Sequence, residues 1–351
     1  MKTTRHLLTA GASAVALTTL LSACSAGSTP SGEASGGAAA MTKVRFSLDW
    51  TPNTNHTGLY TAIEKGYFAD AGIDLEVLPY NNSYPDTLID SGAAECGIGF
   101  EESSTVAMAA GAHIKTVMAT VQHWATAIGV RADNDAIKSP KDLDGKIYAG
   151  FGSVTDAPMI ATVIKADGGT GEFQEVTLDT SAYEAVYNGS ADFTIPFTTW
   201  EAIEAKIKGT PFKLFNWTDY GMPDDYAVLV DCNSDWLEAN PDAAKAFVQA
   251  LQKGYADAVA DPKGTADILI AAAPDVFNTD EAKELVYESQ DMLSADYIEN
   301  EDGVVGPMDA DRWAAMTQWL FDNGLLADAS GNPLTEVPDS SAFFTNEYLA
   351  E

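Results

Sequence analysis

Basic residues are scarce in this sequence. Lys and Arg together number 19 against 52 Asp and Glu, which gives a formal net charge of −33. Such a chain is repelled by the phosphates of nucleic acids and by anionic lipid surfaces, so we exclude nucleic acid as a partner. Acidity of this kind is mostly a solvated surface, and we infer no ligand class from it.

Cysteine and histidine are also few, with three and four residues. The histidines, His6, His56, His113 and His123, do not have metal-ligand spacing, and there is no C-x-x-C motif. We therefore expect no metal site and no cofactor. Ser153 has no His and Asp arranged as a triad around it, so a hydrolase is not supported.

Long apolar runs are missing after the N-terminus. The run Leu7–Leu21 follows Lys2 and Arg5 and is too short to span a bilayer comfortably, which is typical of an export signal. It ends in L-S-A-C at Cys24, which resembles a bacterial lipobox, whose cysteine is diacylated. We predict a lipoprotein signal peptide over 1–23 and an extracytoplasmic protein anchored to the cell membrane by lipidated Cys24. A plain secretory signal is the alternative and predicts the same compartment.

The next segment, 24–41, is rich in Gly, Ser and Ala, and we predict a flexible tether. The remaining chain has two cycles of β-α-β-α-β, typical of mostly parallel sheets. S-G-A-A-E-C-G-I-G-F, which ends at Phe100, aligns with N-G-S-A-D-F-T-I-P-F, which ends at Phe197. The repeat predicts two similar α/β lobes.

After the second cycle come a strand near Tyr226 and four helices. Helices without strands of their own must pack on an existing lobe, and we expect them to return to the first. The prediction is lobe 1 at 42–130 and 230–351, lobe 2 at 131–229, and a hinge of two crossings.

The stretch Asp49–Tyr60, D-W-T-P-N-T-N-H-T-G-L-Y, lies between a predicted strand and a predicted helix. Such turns lie at the carboxyl edge of a sheet, where α/β folds bind ligands. This one carries an aromatic ring, amides and an imidazole but no Lys or Arg, which suits a flat, uncharged or cationic small molecule. The alternative is a surface turn whose Trp50 only fills the core.

Phe46–Tyr60 and Glu64–Val77 together resemble the substrate-binding proteins of ATP-driven importers, in the branch that binds pyrimidine precursors of thiamine. That branch is also similar to the pyrimidine synthase of eukaryotic thiamine biosynthesis and, more distantly, to sulfonate and taurine binders. The resemblance covers about Val44 to Leu326. It implies a periplasmic-binding-protein type II clamshell and a monomeric receptor that serves an ABC permease and its ATPase. It also implies that the strands carrying Cys96 and Cys232 are antiparallel neighbours, so a disulfide is possible; buried unpaired thiols are the alternative.

The resemblance implies a ligand held between the lobes by loops at the carboxyl ends of the strands. The candidate ligand-binding residues in lobe 1 are Trp50, Asn53, Asn55, His56, Tyr60, Glu101 and Glu102. Those in lobe 2 are Phe151, Gly152, Ser153, Thr155, Asp156, Thr199, Trp200 and Glu201.

The carboxylates among these candidates narrow the ligand class, because they would repel an anion. A neutral or protonatable amino-heterocycle is favoured, such as formylaminopyrimidine or hydroxymethylpyrimidine. Riboflavin, a larger flat ring system, remains a rival, and a sulfonate or taurine receptor is a further alternative. A pyrimidine-synthase-like enzyme is the alternative of another class; we expect a binding protein and not an enzyme, because of the lipobox.

Overall fold

The computed structural model describes residues 41–350, so the predicted signal peptide, Cys24 and nearly all of the predicted tether lie outside the described residues. Within this part the chain forms two five-stranded sheets. In chain order the strands are β1 (Thr42–Ser47), β2 (Ile73–Leu78), β3 (Cys96–Gly99), β4 (Ile114–Val121), β5 (Ile128–Arg131), β6 (Ile147–Gly150), β7 (Gln174–Thr177), β8 (Phe193–Thr194), β9 (Phe212–Phe215) and β10 (Val228–Asn233).

Twelve α-helices surround the sheets in the described part of the chain. They are α1 (Thr57–Glu64), α2 (Tyr67–Asp70), α3 (Pro85–Asp90), α4 (Glu101–Ala109), α5 (Asp156–Ala166), α6 (Ala182–Tyr187), α7 (Glu201–Ile207), α8 (Ser234–Ala239), α9 (Pro241–Ala260), α10 (Pro262–Ala272), α11 (Asp280–Asp296) and α12 (Ala310–Asp322). Within residues 41–350, none of the helices combines the length and the apolar character that a membrane span requires.

The two sheets have the same topology. The first has the order β2-β1-β3-β10-β4 and the second β7-β6-β8-β5-β9. In each, four strands run parallel, and one antiparallel strand, β10 in the first sheet and β5 in the second, lies between two of them. Cys96 in β3 and Phe193 in β8, which the sequence repeat aligns, occupy equivalent strands. The structure therefore confirms the predicted α/β class with two similar halves.

The strands also show where the chain crosses between the sheets. β5 pairs with β8 and β9 in the second sheet, and β10 pairs with β3 and β4 in the first. The chain has thus entered the second sheet by Ile128 and returned to the first by Val228. Both points lie two or three residues before the boundaries that the sequence analysis placed at 130/131 and 229/230.

Local differences from the sequence analysis have simple causes. The strand that the repeat predicts before Phe197 is only two residues long, because Pro196 has no N–H to donate to a sheet. Helix α4 begins directly after β3 at Glu101, because Glu101 and Glu102 are favourable in the first turn of a helix. Strand β9 and the short helix α2 are not apparent from the alternation of apolar residues.

A pair of glycines fixes the helix that follows the Asp49–His56 loop. A Cβ on Gly58 in α1 would lie 2.3 Å from the ring of Tyr255, and a Cβ on Gly254 in α9 would lie 2.0 Å from the carbonyl oxygen of Gly58. The two helices therefore touch backbone to backbone. The Tyr255 hydroxyl donates a 2.6 Å hydrogen bond to the carbonyl of Asn55, which ties the loop to the same helix.

The pairing of Cys96 and Cys232, which the sequence analysis left open, is a disulfide in the structure. The two residues face each other across β3 and β10, and both are fully buried. The bond therefore joins the first pass of the chain through this sheet to its return strand.

Candidate ligand-binding site

A cavity of about 140 Å³ lies between the two sheets. It is bounded by the loops after β1, β2, β3, β6 and β8 and by the two crossings between the sheets. Ten aromatic and four carboxylic side chains line it, and none of its lining residues is Lys, Arg or His. A surface of this kind favours flat molecules with N–H donors and disfavours anions.

Trp50 is the centre of the aromatic wall. Its ring centroid lies 5.3 Å from that of Tyr80, 5.8 Å from that of Phe151 and 6.4 Å from that of Tyr183. Trp50 and Tyr80 belong to the first half of the molecule, whereas Phe151 and Tyr183 belong to the second. The wall is thus assembled from both halves, and Trp50 is not merely a core residue of one of them.

The Asp49–His56 loop is held by its own side chains. Asn53 Oδ1 accepts from the Asn55 N–H at 2.9 Å, and the backbone N–H of Asn53 donates to His56 Nδ1 at 3.3 Å. Since Nδ1 accepts, the proton of the neutral ring lies on Nε2, which donates to Asp49 Oδ1 at 2.8 Å. His56 is fully buried, and its role is to orient the Asp49 carboxylate, which lines the cavity.

Asn55 offers the cavity an unused acceptor. The residue is 4 % exposed and lines the cavity, and its Oδ1 has no hydrogen-bond partner among the described residues. A buried polar atom without a partner is costly, and a ligand N–H that reaches this oxygen removes the cost.

Glu201 begins α7 and lines the cavity from the second half of the molecule. Its Oε2 accepts from the Phe197 N–H at 2.9 Å, and its side chain is buried. Burial raises the pKa of this carboxyl to about 8, while the hydrogen bond from Phe197 opposes the shift. A pKa raised towards neutral pH lets Glu201 either keep its proton and donate to a ring nitrogen or ionise against a cationic ligand.

Two more carboxyls line the cavity at the first turns of helices. Asp156 begins α5 and accepts at 2.6 Å from the hydroxyl of Tyr148, and burial raises its pKa to about 6. Glu102, in the first turn of α4, has its pKa raised well above the usual range by burial and then by the neighbouring Asp225. Among residues 41–350, no three His, Cys, Asp or Glu side chains are placed to hold a metal ion.

The structure brings nine of the candidates in the sequence analysis together around the cavity. They are Trp50, Asn53, Asn55, Glu102, Phe151, Ser153, Asp156, Trp200 and Glu201.

The other six candidates lie outside this lining: His56, Tyr60, Glu101, Gly152, Thr155 and Thr199. His56, Thr155 and Thr199 are buried in the protein, and Tyr60 packs with Phe277 among the helices behind the site. Gly152 is exposed at φ +90°, where it provides the turn between Phe151 and Ser153. Glu101 points away from the cavity towards the return crossing, where its Oε2 accepts from the Tyr226 N–H at 2.9 Å.

Several lining residues were missed by the sequence analysis. The main ones are Asp49, Tyr80, Tyr84, Phe100, Ser103, Trp124, Tyr183, Phe197 and Trp217. Phe100 and Phe197 could have been predicted, because they are identical residues at equivalent positions of the repeat. Tyr80 and Tyr84 could also have been predicted, because they follow the carboxyl end of the second strand. Trp124 and Trp217 lie on or beside the crossings between the sheets, which strand patterns do not identify.

Three proteins of known binding or catalytic activity are similar to the chain in sequence. It is 30 % identical over 291 residues to the formylaminopyrimidine-binding protein of Halalkalibacterium halodurans, covering 80 % of this chain and 85 % of that protein. It is 25 % identical to a 4-amino-5-hydroxymethyl-2-methylpyrimidine phosphate synthase of Saccharomyces cerevisiae, covering 63 % and 68 %. It is 24 % identical to the riboflavin-binding protein RibY of Chloroflexus aurantiacus, covering 94 % of both.

A solved structure shows the same fold. The alkanesulfonate-binding protein SsuA from Xanthomonas axonopodis pv. citri superposes with a TM-score of 0.65 at 15 % identity, covering 89 % of this chain and all of that one. The family model described as NMT1/THI5 like matches residues 53–265, which include the Asn53–His56 loop and the cavity residues of the second half. On the family match and the 30 % identity together, the chain belongs to the NMT1/THI5-like family.

Proposed function

We propose that this protein is the extracytoplasmic substrate-binding component of an ABC importer and that it binds a thiamine-precursor-like aminopyrimidine between its two halves. The observation that carries the proposal is the cavity itself, with its aromatic wall, four carboxyl groups and no basic side chain. An amino-substituted pyrimidine presents a flat ring to Trp50 and N–H donors to Asn55 Oδ1 and to the carboxyls. The 30 % identity to a formylaminopyrimidine-binding protein supports the same ligand class.

Glu201 is our candidate for the polar recognition of the ring. A carboxyl can pair with the amino group and the adjacent ring nitrogen of an aminopyrimidine, accepting from one and donating to the other. Glu201 uses one oxygen on the Phe197 N–H and is buried beside Trp200. The pairing works with a neutral acid and a neutral ring, or with a carboxylate and a protonated ring.

The size of the cavity favours a ligand with a single ring over riboflavin, which has three fused rings. A closed apolar cavity of about 150 Å³ holds a single benzene molecule, and this one measures about 140 Å³. Riboflavin has three fused rings and a ribityl chain, so the two halves would have to stand further apart to admit it. We therefore rank riboflavin below a single-ring pyrimidine, and a sulfonate below both because the lining lacks cations.

The pyrimidine-synthase-like alternative rests on His56. In the structure its imidazole is fully buried between Asp49 and the Asn53 backbone and does not line the cavity. We propose a receptor instead, lipid-anchored at Cys24, that delivers its ligand to a permease and its ATPase.

The test is isothermal titration of soluble protein, unfolded and refolded to remove bound ligand, with formylaminopyrimidine, hydroxymethylpyrimidine, riboflavin and taurine. A ligand at a hundredfold its Kd should also add about 2.7 kcal/mol to the free energy of unfolding. We expect a pyrimidine to bind, Glu201→Ala to weaken its binding at least tenfold and Trp50→Ala to weaken it further.

Glu204→Ala is the matched control, because Glu204 lies on the same helix but contacts Tyr187 and Lys208 outside the cavity. It should bind like the wild type. Binding of riboflavin alone would retain the receptor and change the ligand. Binding of taurine alone, or equal losses in Glu204→Ala and Glu201→Ala, would contradict the proposed recognition.

A further inference from the structure

The loop between β2 and α3, residues 79–84, bridges the two halves of the molecule. The Tyr80 hydroxyl donates to Asp179 Oδ1 at 2.7 Å, and Asn82 Nδ2 donates to Asp179 Oδ2. The Tyr84 hydroxyl donates to the carbonyl of Phe151 at 3.4 Å. The donors follow the first sheet's β2, and the acceptors follow β6 and β7 of the second sheet. One carboxylate therefore accepts from two side chains across the cleft.

The backbone at both ends of this bridge is unusual. Asn82 has φ +64° and Asp179 has φ +50°, and these are the two non-glycine residues with positive φ in residues 41–350. Asn and Asp are the residue types that tolerate this left-handed conformation best, but it still carries strain. Strained residues persist where their surroundings hold them in place, and they are enriched at ligand clamps. The hydrogen bond from Asn82 to Asp179 stabilises both residues in their left-handed backbone conformations.

The bridge is continuous with the ligand cavity. Tyr80 and Tyr84 line the cavity, and the ring of Tyr80 packs on Trp50 at 5.3 Å. The cavity of about 140 Å³ belongs to the arrangement in which the loop after β2 reaches Asp179. A ligand that holds the halves apart therefore cannot coexist with it.

We propose that Tyr80, Asn82 and Asp179 form a latch that retains a single-ring ligand by slowing its dissociation and that does not engage over a larger ring system. The identity of the small ligand rests on the proposed function; the latch itself rests on the contacts between the halves. Asn82 and Asp179 are positioning residues, since neither lines the cavity and Asp179 acts through Tyr80, which does line it.

The substitution Asp179→Gly removes the acceptor and suits the positive φ, so it separates the lost hydrogen bonds from backbone strain. A hydrogen bond to a charged group in this partly exposed setting supports an increase of about tenfold in koff. We expect kon within twofold of the wild type, and a smaller increase in koff for Tyr80→Phe. The free energy of unfolding without ligand should not fall, which a merely structural role would not predict.

The matched control is Lys206→Ala. It removes another bridge, the exposed ion pair of Lys206 in α7 with Glu288 in α11 at 3.0 Å, which has no contact with the cavity. Its koff should stay within twofold of the wild type. The assay is stopped-flow tryptophan fluorescence with formylaminopyrimidine and, separately, riboflavin. The koff of riboflavin should be the same in wild type and Asp179→Gly.

An unchanged koff for the pyrimidine in Asp179→Gly, or an equal rise in Lys206→Ala, would overturn the latch. A second measurement does not depend on the ligand: nitroxide labels at the exposed positions 64 and 138 report the distance between the halves. We expect Asp179→Gly to lose the short-distance population relative to the wild type, and identical distributions would also overturn the latch. If no pyrimidine binds the wild type, the proposed function is wrong, and the label distances still test whether Asp179 holds the two halves together.

Discussion

The two crossings between the sheets bury a pair of carboxyls whose ionisation should set the pH dependence of stability. Glu101 and Asp225 are both fully buried. Among the described residues, no group donates a hydrogen bond to Glu101 Oε1 or to either carboxyl oxygen of Asp225, so the pair can only share a proton. Burial raises the pKa of Glu101 from 4.5 to about 7, and burial followed by the charge of Glu101 raises the pKa of Asp225 well above its usual range. Arg312, which opposes both shifts, donates to the Asp225 carbonyl at 2.8 Å and pairs with Asp224 at 2.9 Å.

The folded protein binds the proton of the Glu101 carboxyl more tightly than the unfolded chain does, so the free energy of unfolding falls as the pH rises. The stabilisation is fully present below pH 4.5, declines as the pH rises and is lost above about pH 7. The shift of Glu101 corresponds to about 3 kcal/mol. Glu101→Gln keeps the group neutral at every pH and donates an N–H to Asp225. The variant should therefore gain about 3 kcal/mol relative to the wild type between pH 4.5 and pH 8.

The assay is urea denaturation of both proteins at pH 4.5, 6 and 8. Any change that the amide makes in packing cancels when the difference at pH 4.5 is subtracted from that at pH 8. Buried carboxyls remote from Glu101, Glu201 among them, titrate in both proteins and cancel too, whereas the pKa of Asp225 is raised less in the variant, so Asp225 adds to the difference in the same direction. Glu64→Gln, on the exposed face of α1, is the control and should leave the difference constant. A difference between Glu101→Gln and wild type that varies by less than about 0.5 kcal/mol over this range, or that changes in the opposite direction, would refute the reasoning.

Two further predictions concern stability. Replacing both Cys96 and Cys232 by Ala should lower the free energy of unfolding by about 3–5 kcal/mol, because the bond closes a loop with a sequence separation of 136; equal urea midpoints for the variant and the oxidised wild type would contradict this. Gly58→Ala should cost about 1–3 kcal/mol and weaken ligand binding, because the new Cβ overlaps the Tyr255 ring and displaces the helix that follows the ligand loop. The control is Gly66→Ala, which also replaces a glycine but adds a Cβ with no atom within 4 Å, at a residue with φ +74°. Gly66→Ala should leave ligand binding unchanged. Calorimetric unfolding measures the stability of the glycine variants, and isothermal titration measures their ligand binding.

Much of the fold followed from the sequence. The repeat between the segments ending at Phe100 and Phe197 indicated two similar halves, and the structure has them with equivalent strand orders. The loop at Trp50 was expected at the cleft because such turns lie at the carboxyl edge of a sheet, and Glu102, Asp156 and Glu201 were expected there because the resemblance and the repeat implied it. These are local properties: alternation, helix starts and turn residues are determined within a few positions of the chain.

What only the tertiary structure decided is how side chains from remote segments face one another. A strand's end fixes the edge at which a residue lies but not the direction of its side chain, so His56 and Glu101 were assigned to the ligand although one orients Asp49 and the other faces Tyr226. The contact of Tyr80 with Asp179 spans 99 positions, and no local pattern predicts it. The sequence alone determined the chemical character of the cleft, because composition and edge placement are local, whereas its size and its latch depend on how the two halves meet.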